Sequence, residues 1–191
     1  MKVVGISGSS RKNGNTAIII KTVFEELNRV GIETELIQLA DIDIQPCRAC
    51  FACKGKRNCV FKRDRFSDVF NRMVDADGII LGSPVYSADV SSKMKALLDR
   101  GGVVVATNPG LLRHKVGASV AAVRRAGGLT AVDTMNHFML NKEMIVVGST
   151  YWNMVYGREI GDVMNDEEGM ANMRNLGHNM AWLLKRLDKQ G

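Results

Sequence analysis

Five short apolar runs, Val3–Ser7, Thr34–Leu39, Gly78–Ser83, Gly117–Val123 and Met144–Gly148, alternate with segments whose apolar residues recur at helical spacing. No other feature constrains the fold as much. The runs are apolar throughout rather than at every second residue, as strands buried on both faces are. After Thr16 the helical pattern places Ile20, Val23, Phe24 and Leu27 on one face, and Gly31 is positioned to end that helix. A second stripe is Phe66, Val69, Phe70, Met73 and Val74, and a third is Met94, Leu97 and Leu98. Leu129, Val132, Asn136 and Met139 mark a fourth. The last helix starts near Asp166, with Asn165 and Glu168 as a capping pair, and buries Met173, Leu176, Met180, Leu184 and Leu187. Strand and helix in alternation predict an α/β fold: a three-layer, doubly wound, five-stranded parallel sheet. No repeat or linker interrupts residues 1–191, so a single domain is expected.

Hydrophobic content of 46% with 24% charged residues is that of a globular protein. No apolar stretch approaches the ~20 residues that span a bilayer, and no signal-peptide pattern opens the chain. The expectation is a cytoplasmic protein without a membrane partner. The net charge of +6 is local. Arg48, Lys54, Lys56, Arg57, Lys62, Arg63 and Arg65 face Asp64 alone, which leaves 19 basic and 19 acidic residues elsewhere. That argues against a broad nucleic-acid surface.

All four cysteines, Cys47, Cys50, Cys53 and Cys59, lie within this basic segment, in a loop at 46–62 after the second strand. The spacing Cys-x2-Cys-x2-Cys-x5-Cys resembles ferredoxin-type ligation of a [4Fe-4S] cluster. Disulfides are disfavoured without a secretion signal. Zinc is the competing metal, although structural zinc usually takes its ligands from two separated knuckles. The basic residues would offset a negatively charged cluster and can steer an acidic protein partner. A merely solvated basic loop is the plainer alternative. His114, His137 and His178 are scattered and read as structural. Tyr151–Tyr156 is an unusually apolar segment, read as ordinary core ahead of an interface or a cofactor cover.

Ligands of doubly wound sheets bind beyond the carboxyl ends of the strands. The first such loop is Ser7-Gly-Ser-Ser-Arg11-Lys-Asn-Gly-Asn-Thr16. Its hydroxyls, small residues and arginine at a helix N-terminus suit a phosphate. It matches neither a Walker loop nor the dinucleotide Gly-x-Gly-x-x-Gly. After the third strand, Pro84-Val-Tyr86 offers a rigid backbone and a flat ring, and Arg124-Arg-Ala-Gly-Gly128 can approach a ligand closely.

These loops, with Asp77-Gly-Ile-Ile-Leu-Gly-Ser-Pro-Val-Tyr86 and Lys93-Met-Lys-Ala-Leu-Leu-Asp-Arg100, resemble the flavodoxin-like NADPH-dependent FMN reductase family. The cysteine run is similar to that of its iron-sulfur flavoprotein branch. The resemblance implies strand order 2-1-3-4-5 and FMN, with the phosphate on Ser7, Ser9, Ser10, Arg11, Asn13, Asn15 and Thr16. It places the ring system against Pro84, Val85, Tyr86 and Ser87, and against Val123, Arg124, Arg125, Gly127 and Gly128. It also implies a homodimer or homotetramer. One departure is Lys62-Arg63-Asp64, where relatives often carry an acidic pair. The expected function is electron transfer from a ferredoxin-like acidic donor to a small acceptor through cluster and FMN, with no side chain acting as acid or base. Two alternatives compete: a cluster-free NAD(P)H-dependent FMN or quinone reductase, and a zinc-stabilised nucleic-acid module.

Overall fold

The computed structural model describes residues 1–188 and pairs its strands in parallel in the order β2-β1-β3-β4-β5. β1 (Lys2–Ser7), β3 (Gly78–Pro84) and β4 (Val116–Val123) form the centre and are almost wholly buried. β2 (Glu33–Gln38) lies at one edge and is less buried. Gly5 of β1 stands between Leu36 of β2 and Ile80 of β3. Helices α1 (Asn15–Arg29) and α5 (Glu167–Asp188) cover one face over Val3, Ile80 and Val120. Helices α2 (Phe66–Asp75), α3 (Ser92–Ala106) and α4 (Gly128–Asn141) cover the other over Val4, Ile6, Ile79 and Leu81. Val3 and Val4, or Ile79 and Ile80, thus enter opposite cores, as the alternation of side chains along a strand requires.

Four expectations need correction. The fifth strand, expected over 144–148, is divided. β5 (Ile145–Val146) pairs with Val116 and Gly117, and β6 (Met154–Tyr156) rejoins β4 at Ala121–Val123. Between them the chain leaves the sheet because Asn172 of α5 captures it. The Asn172 Oδ1 accepts from the Tyr151 N–H at 3.0 Å and the Thr150 hydroxyl at 2.9 Å, and its Nδ2 donates to the Trp152 carbonyl at 2.9 Å. The aromatic segment is therefore not ordinary core: Tyr151 is 65% exposed and Trp152 56%, while Val155 is buried. Leu129 and Leu187, expected inside, lie at exposed helix ends. Finally, Asp166 caps α5 in place of the Asn165–Glu168 pair. Its Oδ1 accepts from the Gly169 N–H at 2.9 Å and its Oδ2 from the Tyr156 N–H at 2.7 Å, tying β6 to the helix.

The cysteine segment follows β2 and a short 3-10 turn (Leu39–Asp41), and reaches α2 without further regular structure. Arg100 of α3 holds its neck. The buried guanidinium donates to the Gln45 carbonyl at 3.3 Å, the Phe61 carbonyl at 2.7 Å and the Asp64 carboxylate. It also lies 4.3 Å from the centre of the Phe66 ring. Burial alone would push the Asp64 carboxyl up. The Arg100 guanidinium and the N–H groups of Gln45 and Phe66 outweigh it and hold the carboxyl below the usual carboxylate range.

Two outcomes test this architecture. A Cβ on Gly5 would lie 2.6 Å from Ile20 and from Phe24, so α1 crosses β1 with no room for a methyl group. Gly5→Ala should lower unfolding free energy by about 1–3 kcal/mol in urea titrations, and an unchanged midpoint would refute the close approach. The depressed Asp64 carboxyl stabilises the fold above its unfolded value near ~4, and that contribution is lost as pH falls through the lower folded value. Asp64→Asn should cost about 3 kcal/mol at neutral pH, and the gap to wild type should narrow below about pH 4.

Candidate functional site

The carboxyl ends of β1, β3 and β4 open into a cleft of about 360 Å³. The first loop supplies Ser9, Arg11, Asn15 and Thr16, and the other two supply Pro84, Val85, Tyr86, Ala122 and Arg124. No side chain caps α1 and its first turn carries no acidic residue, so the positive end of the helix dipole is left to a ligand. Ser9 turns the loop by accepting from the Arg11 N–H at 3.0 Å. At its root, Ser7 is buried and its hydroxyl has no hydrogen-bond partner among the described residues. A buried hydroxyl without a partner costs about 1–3 kcal/mol. The uncapped helix, the guanidinium and the hydroxyls together fit a phosphate-bearing ligand such as FMN.

Several sequence-assigned residues have other occupations. Asn13 adopts φ +51° and exchanges two hydrogen bonds with Gln38 of β2, at 2.7 and 3.1 Å. Asn15 lines the cleft, but its amide is spent on a strap after β6. Its Nδ2 donates to the Glu159 carbonyl and its Oδ1 accepts from the Gly161 N–H, both at 2.8 Å. Arg11 also donates to the Arg158 carbonyl, at 3.2 Å. Ser10 and Arg125 are exposed outside the cleft lining, and Val123 points into the core. Lys12 turns away to Asp41, which raises its pKa through a hydrogen bond at the surface.

The strap residues Gly157, Arg158 and Glu159 line the cleft and were missed by sequence reasoning. The divided fifth strand hid them. A continuous strand over 144–148 puts the following loop too early in the chain.

On the side suited to a flat ring, Tyr86 and Asp89 close a tight turn whose central residues, Ser87 and Ala88, have φ +50° and +64°. Both are strained for non-glycine residues. The turn is held by Asp89, whose Oδ1 accepts from the Thr134 hydroxyl at 2.7 Å. Gly127, at φ +82°, begins α4 directly against it, and a Cβ there would lie 2.8 Å from the Ala88 Cα. The loops after β3 and β4 are thereby wedged together.

The four cysteines are free and all line a second, small pocket of about 30 Å³ shared with Arg48, Phe51, Phe61, Arg100, Val103 and Val104. Cys53 is buried, with its Sγ 3.3 Å from the Thr107 hydroxyl, whereas Cys50 is exposed. Asn108, just past α3, fixes the middle of the loop. Its Nδ2 donates to the Cys53 carbonyl and its Oδ1 accepts from the Arg57 N–H, both at 3.0 Å. Ala49, Phe51, Gly55 and Arg57 all take positive φ, so the backbone reverses repeatedly around the thiols. Among the described residues no three Cys, His, Asp or Glu side chains stand within reach of one metal ion. The thiols share a pocket without being drawn to one point, and the donor set suits a four-thiolate cluster. Sequence reasoning missed Arg100, Thr107 and Asn108. Only their place on α3 and just past its end, beneath the loop, identifies them.

The profile of the family described as NADPH-dependent FMN reductase matches residues 1–159. An iron-sulfur flavoprotein of Methanocaldococcus jannaschii is 40% identical over 196 residues, covering 99% of this chain and all of that protein. An iron-sulfur flavoprotein of Methanosarcina thermophila is 37% identical over 150 residues, 78% of each chain. Among solved structures, RosB with a bound formylriboflavin phosphate intermediate superposes with TM-score 0.80 at 16% identity, covering 99% of this chain and 81% of that one. An archaeal flavodoxin gives TM-score 0.65 at 16% identity, covering 97% and 99%. These two establish the flavodoxin-like fold alone. With the family profile spanning all three cleft loops and the cysteine run, the chain belongs to the NADPH-dependent FMN reductase family.

Proposed function

We propose that this flavin oxidoreductase is an iron-sulfur flavoprotein that moves electrons between an acidic one-electron donor and a small acceptor. The carrying observation is that all four cysteines line one pocket, in a stretch where Arg48–Arg65 holds the chain's whole excess of positive charge. When bound, a [4Fe-4S] cluster passes electrons singly and FMN takes them singly or in pairs. Cys47, Cys50, Cys53 and Cys59 would hold the cluster. Ser7, Ser9, Arg11 and Thr16 would hold the FMN phosphate. Asn13 and Asn15 act behind them, fixing the loop to β2 and to the strap. Tyr86 and the Gly127–Gly128 turn would bracket the ring.

The donor reading rests on charge. Lys54, Lys56, Arg57, Lys62 and Arg63 are all exposed around the cysteine pocket and would steer an acidic ferredoxin-like protein. The two sites also lie along one helix. Ser91, which caps α3, donates to the Gly8 carbonyl beside the phosphate loop at 2.6 Å, and the cysteine pocket rests on Arg100, Val103 and Val104. At ~1.5 Å rise per residue, these lie roughly 14–20 Å further along the helix. That separation favours a homo-oligomer in which a second copy brings its own cleft toward the cysteines. Phe51 and Val60, exposed near the thiols, give such a contact apolar area.

A second reading, hydride transfer from NAD(P)H, draws on Arg124 and Arg158 at the cleft, which suit an anionic dinucleotide.

Protein purified anaerobically should carry about four irons and four sulfides per chain together with FMN, and should bleach with reduced ferredoxin. Zinc, or no metal, would overturn the cluster. Rapid bleaching by NADPH in metal-free protein would favour the second reading. Cys53→Ala should abolish the broad brown absorbance while FMN remains, and loss of FMN instead would contradict the division into two sites. Gly127→Ala should weaken FMN binding by about tenfold or more, some 1.4 kcal/mol, in fluorescence titration, and should leave iron content unchanged.

A further inference from the structure

We propose that Arg100 is a positioning residue for cluster assembly, closing the neck of the cysteine loop so that the four thiols stay around one pocket. The inference rests on the cluster reading above and goes beyond it by assigning a residue outside the cysteine run. Arg100 sits on a helix, so its position does not depend on the loop it holds. It reaches both sides of the neck. Gln45, two residues before Cys47, is held through its carbonyl, and Phe61, two residues after Cys59, is held the same way. Asp64 completes the closure, because its Oδ2 accepts from Arg100 and also, at 2.8 Å, from the Gln45 N–H. Two guanidinium groups also stand over the neck's aromatic residue: Arg48 lies 4.3 Å and Arg100 5.2 Å from the Phe61 ring centre. A flexible segment must bring its ends together before its thiols can meet, and that closure carries an entropic cost. Here the folded protein has already met it. A planar fork with five donors can serve three acceptors at once, which a lysine ammonium cannot do with the same geometry.

The same contacts also stabilise the fold, so two variants separate the roles. Arg100→Lys keeps the charge beside Asp64 and loses the fork. The pair Arg100→Met with Asp64→Leu removes the ions together, a change that buried ion pairs often tolerate, but cannot bond Gln45 or Phe61. Each FMN-loaded, metal-free protein is given ferrous iron and sulfide anaerobically, and iron uptake is followed beside site-resolved alkylation of Cys53. Both variants should unfold cooperatively and retain FMN. They should incorporate iron at least about tenfold more slowly or more weakly, the range seen when partners behind metal ligands are removed. Alkylation of Cys53, buried in the wild-type protein, should quicken roughly tenfold as the neck opens. Iron uptake equal to wild type in the double variant would overturn the assignment, whatever the alkylation rate. A wild-type chain that takes up no iron would instead overturn the cluster reading, and this proposal with it. The two failures are distinguished by the wild-type control.

Discussion

The guanidinium of Arg100 is the contact on which the irregular part of this protein depends. A segment of more than twenty residues between β2 and α2 has only one short 3-10 turn to order it, and its basic residues repel one another. An internal cation beneath such a segment would normally add to that repulsion. Asp64 reverses the effect, since it is the one acidic residue between Arg48 and Arg65 and it faces inward. With its charge matched and its donors aimed at backbone carbonyls, the ion pair satisfies the neck where no strand or helix does. The loop's other cations are left at the surface.

Helix α3 carries this arrangement to the rest of the molecule. Its N-terminal cap is bonded to the loop after β1, its middle holds the cysteine neck, and Asn108 just beyond its end fixes the cysteine loop's centre. One rigid element therefore sets the separation of the two candidate cofactor sites. A similar economy operates at the cleft, where Asn15 lines the opening and also secures the strap that lines it too. Residues that resemble ligands in sequence act as fasteners in the fold.

The central strands were legible because they are apolar without interruption, and both cores follow from the two periodicities of strand and helix. The grouping of the four cysteines was legible from their spacing, but the side chains that hold the loop were not. Arg100 lies 41 residues after Cys59, so no local pattern connects them. Asn13 and Asn15 show the converse: residue type and position favour a phosphate, yet long-range partners in β2 and in the strap claim their side chains. The divided fifth strand failed for a tertiary reason as well. Val147 and Gly148 continue an apolar run, and only Asn172, on a helix that comes later in the chain, draws the backbone away.

That division has a further consequence for how the molecule meets its neighbours. A long outer strand offers a row of unpaired N–H and C=O groups that invites another sheet to add to it. Here the outer position is filled by two residues, an excursion tied to α5, and then three residues. The opposite border, β2, carries Glu33 and Glu35 paired with Lys2. Neither side offers a long uncharged ladder to extend, so strand addition is disfavoured as a mode of self-association. Encounters are directed instead to side-chain surfaces, among which the positively charged loop carries the chain's net excess of charge.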